Sequence, residues 1–150
     1  YSERIDNHTQ RVIVSSIELL LNYSLRFYER QFNTRSAVNK DIISSFEANL
    51  KNYFNSEIHT EEGLPSIQYF ADKVHLSKHY FSDVIKKETG RTAKDHINDF
   101  VIEIAESIIL NSEKNISEIA YSLGFNSSNY FSRLFKSKTG YSPSQYRNLN

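Results

Sequence analysis

The chain has no cysteine, methionine or tryptophan, and its 150 residues include only four glycines and two prolines. Without cysteine there is neither a disulfide framework nor a cysteine-based zinc site. No run approaches the roughly 18 consecutive apolar residues that a membrane-spanning helix needs, so no membrane partner is expected. The opening residues do not read as a secretory leader, and the chain begins at Tyr1 rather than at a methionine. The expectation is a fragment of a cytoplasmic protein whose upstream sequence has been cut away. In such a chain the Asn-x-Ser/Thr triplets at Asn7, Asn22, Asn115 and Asn126 are chance matches. Enzyme signatures are missing too: there is no glycine-rich phosphate loop, no HExxH and no nucleophile motif. Neither catalysis nor a cofactor is expected. His75 and His79 stand four apart, a metal-ligand spacing on a continuous helix, but the Leu76-Ser77 turn falls between them and should spoil it.

An excess of either charge is also lacking, since eighteen basic residues balance eighteen acidic ones. That is unusual for a nucleic-acid binder taken whole. The balance is not uniform, however. Residues 1–63 hold seven Lys/Arg against nine Asp/Glu, and residues 64–150 hold eleven against nine. From Ile119 to Asn150 there is no acidic residue, against Arg133, Lys136, Lys138 and Arg147. A polyanion is the natural partner for such a stretch. Hydrophobic content of 39% and charged content of 24% suit a globular protein with one modest core or two small ones.

The most informative stretch is ISEIAYSLGFNSSNYFSRLFKSKTG, from Ile116 to Gly140. Ile116, Ile119, Ala120 and Leu123 follow helical spacing. Gly124 can take positive φ and end that helix. Phe125 plugs the turn, and Asn126, Ser127 and Ser128 offer oxygens to cap a second helix. On that helix Tyr130, Phe131, Leu134 and Phe135 should point inward, while Asn129, Ser132, Arg133 and Lys136 fall on the opposite side. Two short helices around a tight turn, the second presenting hydrogen-bonders and cations, describe a helix-turn-helix.

A second copy lies upstream. Ile67, Ala71 and Val74 sit 49 residues before Ile116, Ala120 and Leu123. Past the turn the offset is 50, pairing Tyr80-Phe81 with Tyr130-Phe131, Ser82 with Ser132, Val84 with Leu134, Lys86 with Lys136, and Thr89-Gly90 with Thr139-Gly140. The second turn is therefore one residue longer. Core and exposed positions repeat together, which argues for repeated use. Ser66 and Ser77 are candidate caps for the helices of the first copy.

The rest of the chain reads as helix. Ile13, Ile17, Leu20, Leu21, Leu25, Tyr28 and Phe32 make a wide stripe over residues 9–32. A break is expected at residues 33–36, then a second helix capped by Asn39 with Ile42, Ile43, Phe46, Leu50, Tyr53 and Phe54 buried, the pair forming a hairpin over residues 1–54. The surplus apolar surface calls for an upstream domain, a second subunit or the repeat itself. Residues 55–66 are polar, hold Gly63 and Pro65, and read as a linker. Between the copies, residues 93–110 form a helix with Ile97, Val101, Ile104, Ala105 and Ile108 on one side. Its span is about 27 Å, of the order of the ~34 Å that separates successive major grooves on one side of a duplex. The fold expected is all-α: a helical hairpin, then two helix-turn-helix units (67–90 and 116–140) on a shared long helix.

The segments IQYFADKVHLSKHYFSDVIKKETG and ISEIAYSLGFNSSNYFSRLFKSKTGYSPSQYR resemble the DNA-binding domain of the AraC/XylS family of bacterial transcription regulators over about Leu64 to Arg147. The resemblance implies a domain over residues 67–147 that binds double-stranded DNA, with one helix of each unit in the major groove. It implies base-reading positions at Lys78, His79, Ser82 and Asp83 in the first unit and at Ser128, Asn129, Ser132 and Arg133 in the second. Arg133 and Asn129 are the leading specificity residues, since arginine can reach guanine and asparagine adenine with two hydrogen bonds each. Lys86, Lys87, Arg91, Lys136, Lys138 and Arg147 are expected on phosphates, where contacts set affinity without reading sequence. The family further implies an upstream regulatory domain that would hold any effector ligand, a homodimer through residues 9–54, RNA polymerase as a partner, and activation as the leading mode. Two positions depart from the family pattern. Val101 stands where an arginine is usual, and Asp83 stands where Arg133 stands in the second unit. Asp83 either accepts from a cytosine amino group or repels DNA. The rival reading of the whole is a non-enzymatic helical protein-interaction module, which would explain the repeat but not the acid-free second helix.

Overall fold

The computed structural model describes residues 7–149, with the side chains of Asn7, Phe32 and Asn33 outside the description. Phe32, expected in the N-terminal stripe, therefore lies outside the described side chains. Every described element is a helix: α1 (Asn7–Asn55), α2 (Ile58–Glu62), α3 (Ile67–Lys73), α4 (Lys78–Thr89), α5 (Ala93–Asn111), α6 (Ile116–Ser122), α7 (Ser128–Thr139) and α8 (Pro143–Leu149). The all-α expectation holds. The chain divides into two compact units, one up to Lys40 and one from Asp41 onward.

In the first unit the expected break is absent. Residues 33–36 and Asn39 lie inside α1, so there is no hairpin and no Asn39 cap. The physical reason is the shortage noted above: no glycine precedes Gly63 and no proline precedes Pro65. Thr34, read as part of a turn, instead donates its hydroxyl to the Arg30 carbonyl one turn back, at 2.9 Å. Polar residues that can bond back along the helix need not end it. Val12, Leu20, Phe27 and Tyr28 are all exposed in this unit.

The second unit begins earlier than the sequence suggested. Ile42, Phe46, Leu50, Tyr53 and Phe54 of α1 are buried, and Phe46 meets Phe70 of α3 and Phe81 of α4 edge-on at 5.0 and 5.5 Å. Such aromatic pairs add specificity beyond the area they bury. The last turns of α1 thus form the third wall of the first helix-turn-helix. Residues 55–66, expected as a linker, are packed as well. α2 forms there, His59 is buried against the Phe54 ring, and the Tyr53 hydroxyl donates to the Gly63 carbonyl at 2.8 Å. Burial, followed by the charges of Glu62 and Tyr69, raises the Tyr53 phenol above its ordinary value.

The two halves share a local grammar. Ser77 and Ser127 cap α4 and α7 by accepting from the Tyr80 and Tyr130 amides, each at 3.3 Å. Leu76 and Phe125 plug equivalent turns, their amides donating to Ala71 and Ala120 at 2.9 and 3.0 Å. At the exits, Thr89 and Thr139 donate to carbonyls one turn back, and Gly90 and Gly140 take left-handed φ of 74° and 84°. α5, capped by a reciprocal Thr92–Asp95 box, joins the halves. At 19 residues it spans roughly 28 Å. Val101 on it is fully buried. α8 opens on a serine-proline pair, with Ser142 and Gln145 capping each other, and lays Tyr146 on Phe135 at 5.4 Å.

Candidate nucleic-acid interface

α4 and α7 each bury one face and leave the other to solvent. Phe81, Val84 and Ile85 anchor α4, and Phe131 and Phe135 anchor α7. On the open face of α4, Lys78, His79 and Asp83 are exposed and Ser82 is half-buried. On α7, Asn129 and Arg133 are exposed and Ser128 and Ser132 half-buried. All eight expected base-reading residues thus lie on the two helices that the repeat pairs.

Their side chains differ in what they are free to do. Asn129, Arg133 and Lys136 make no side-chain hydrogen bond or ion pair among the described residues. Ser82 donates to the Lys78 carbonyl at 2.8 Å, so its hydrogen is already used within the helix. Asp83 faces His79 one turn earlier, with Nε2 3.5 Å from the carboxylate and both side chains open to water. His79 is therefore the neighbour that meets the carboxylate.

The expected phosphate set also separates. Lys86 and Lys87 in the last turn of α4 and Lys136 in α7 stand exposed. The other three cations have partners in the protein. Arg147 donates to the carbonyls of Ile109 and Lys114 at 3.2 and 2.7 Å, tying α8 to the end of α5. Arg91 pairs with Asp99 of α5, and Lys138 reaches the same carboxylate at 2.7 Å and Asp95 at 3.9 Å. Burial raises the Asp99 carboxyl, but the hydrogen bonds from Arg91 and Lys138 and their charges outweigh it and hold the group below the ordinary range. The Thr92 hydroxyl does the same for Asp95, against a smaller opposing effect of burial. Arg91 is raised by its hydrogen bond to Asp99 and by that group's charge.

Two features escaped the sequence reading. Tyr130, expected inward, is 39% exposed, and its counterpart Tyr80 is 37% exposed, so both rings lie at the edge of the open faces. The repeat itself carried this signal, because a tyrosine matched by a tyrosine beside a phenylalanine matched by a phenylalanine separates rim from core. The Asp95–Asp99 pair was missed because carboxylates one turn apart on a helix usually mark a solvated face.

His75 and His79 fall on different elements, the first in the turn with φ 56° and the second in α4. Among the described residues no helix is long and apolar enough to cross a membrane.

The chain is similar to known proteins in sequence and in fold. The helix-turn-helix domain family matches residues 70–149, more than half of the chain. An HTH-type transcriptional regulator in the cgkA 5′ region of Pseudoalteromonas carrageenovora is 35% identical over 96 residues, which are 64% of this chain and 52% of that protein. The HTH-type transcriptional activator RhaR of Escherichia coli is 32% identical over 85 residues, 57% of this chain and 30% of that one. The chain thus spans about half of the first relative's length and less of the second's. Among solved structures, the C-terminal domain of AraT, a response regulator from Geobacillus stearothermophilus, superposes with a TM-score of 0.60 at 28% identity, covering 70% of this chain and 85% of that one. With both units, their caps and the connecting helix in place, the chain belongs to the AraC-type helix-turn-helix family.

Proposed function

We propose that this chain is a sequence-specific, double-stranded DNA-binding transcription regulator of the cytoplasm, without enzymatic activity, whose α4 and α7 enter two successive major-groove segments. The observation that carries the reading is the repeated, serine-capped helix whose second copy, itself without an acidic residue, offers Asn129, Arg133 and Lys136 unpaired among the described residues. Arg133 and Asn129 read bases; Lys86, Lys87 and Lys136 neutralise phosphates; Arg91, Lys138 and Arg147 serve the fold first. Activation through RNA polymerase is the mode favoured, in keeping with the description of the relative RhaR as an activator. An effector would act on sequence upstream of α1, and of residues 9–54 the part up to Lys40 would supply a homodimer contact, since Val12, Leu20 and Phe27 expose apolar surface there while Ile42 to Phe54 are used in the first helix-turn-helix.

The test is a salt titration of binding to mixed-sequence duplex. Three phosphate-neutralising lysines should give log K against log salt a slope of about −3. Binding that ignores salt would return the chain to the rival class, a helical protein-interaction module.

A further inference from the structure

We propose that Asp99 is a positioning residue that sets the separation of the two reading helices on DNA; this rests on the reading of α4 and α7 given above. Asp99 lies on α5, the helix shared by both halves. One carboxylate oxygen takes Arg91, in the turn that leaves α4, and the other takes Lys138, in the last turn of α7, at 2.7 Å. A single side chain therefore holds the exits of both reading helices. Asp95, one turn earlier, adds a weaker contact to Lys138 at 3.9 Å and is itself fixed by the Thr92 hydroxyl at 2.6 Å. The Lys138 side chain is only 26% exposed, so water screens this tie less than an open surface pair.

The aromatic cores fix each helix within its own half. Phe46 packs with Phe70 and Phe81, whereas Phe131 packs with Phe125 and Phe135. The halves also meet where His59 and Gly63 back onto Gly124, but that contact lies at the turn of the second unit, whereas Asp99 ties the exits of both reading helices. On a duplex the offset between the halves is a spacing in base pairs, because each added pair both shifts and rotates the second half-site. Asp99 acts on spacing and leaves the reading of either half-site to the residues on α4 and α7.

The experiment uses the full chain, sites it selects from random duplexes, and a series in which the distance between half-sites changes by one or two base pairs. The unaltered protein should prefer one spacing and lose about 10-fold or more at the neighbouring ones. Asp99→Asn should flatten that preference to a few-fold while binding to the isolated second half-site is retained, and Asp99→Glu should restore part of it. If Asp99→Asn fails to fold, Arg91→Met and Lys138→Met each remove one arm and should flatten the profile singly. An unchanged spacing profile in a folded Asp99→Asn protein, or in both arm variants, overturns the proposal and leaves the two-helix reading standing. An unaltered protein that binds DNA without any spacing preference overturns the two-helix reading instead, and this inference with it.

Discussion

The two helix-turn-helix units are built alike and charged differently. Their caps, turn plugs and threonine-glycine exits make the same hydrogen bonds, with lengths that agree within 0.2 Å. Yet α4 carries three lysines with two carboxylates, Asp83 and Glu88, whereas α7 carries Arg133, Lys136 and Lys138 with none. The positions constrained by folding repeat, and among those open to solvent some repeat, as Lys86 and Lys136 do, while others differ, Asp83 against Arg133 above all. Fold was therefore copied as a unit, while the chemistry presented to a partner was free to change residue by residue. Even the turn obeys this division with one exception. Gly124 at φ 87° is matched 49 residues earlier by His75 at φ 56°, a left-handed residue with a full side chain.

That exception gives the largest expected effect. A Cβ at Gly124 would meet the His59 carbonyl oxygen at 2.7 Å and the Gly63 backbone at 2.9 Å, besides imposing a left-handed conformation on an L-residue. Gly124→Ala should cost about 2–4 kcal/mol in denaturant unfolding. His75→Ala, at a site that already carries a side chain, should change stability by no more than about 0.5 kcal/mol. Equal costs at the two turns would show that the backbone approach of Gly63 to Gly124 does not constrain the second unit.

Next in size is the contrast between base reading and phosphate contact within α7. A bidentate pair is worth about 1–3 kcal/mol against the wrong base. Arg133→Ala should therefore lower specific binding by about 10-fold or more and relax preference at one position. Lys136→Ala should weaken all duplexes alike and make the salt slope shallower by about one. Were the two variants to give the same profile across a sequence panel, the division of roles along α7 would be wrong.

A smaller effect should appear where the halves meet. Asp95 and Asp99 are held below the ordinary aspartate value of 3.8 in the folded state. Groups depressed on folding contribute stability above their unfolded value and lose it as pH falls through the folded one. Thermal unfolding of Asp99→Asn should thus lie a few degrees below the parent at neutral pH, and the gap should close as pH drops below 3.8. A gap that persisted in acid would mean that the loss comes from packing and not from the carboxylate's charge.

What the sequence revealed and concealed follows the same division. Helix bounds in the repeat were legible because apolar spacing, capping serines and glycine exits all pointed one way, as at Ser77, Gly90 and Gly140. The continuity of α1 was not, since Asn33-Thr34-Arg35-Ser36 is ordinary turn chemistry and only the lack of glycine and proline argued against a break. The start of the second unit at Asp41 was hidden because Ile42, Phe46 and Leu50 show a buried stripe without showing its partner. The open faces of α4 and α7 were predictable from the helical period. The diversion of Arg91 and Lys138 to Asp99 was not, because it joins residues separated by the fold and not by one helix.

The smallest expected effect concerns Asp83, where the two units differ most directly. A carboxylate on a DNA-facing helix sits in a strongly negative potential and is repelled unless something offsets it. A cytosine amino group could do so from the major groove. Within the protein, the carboxylate's near neighbour is His79 at 3.5 Å, a contact largely open to water. Such a pair is worth little and shields little, so the repulsive account is favoured. On that account Asp83→Ala should tighten binding to every duplex by a few-fold, most at low salt where screening is weakest. His79→Ala should move affinity the other way, and by less. If Asp83 instead accepts from cytosine, Asp83→Ala would relax preference at one position while overall affinity stayed level or fell. Site selection provides a second reading of the same question. A repelling Asp83 leaves the first half-site with less sequence information than the second, because α4 then lacks any counterpart to Arg133. Equal information in both half-sites would show that α4 reads DNA as fully as α7, and the asymmetry of charge would then be one of sequence preference and not of strength.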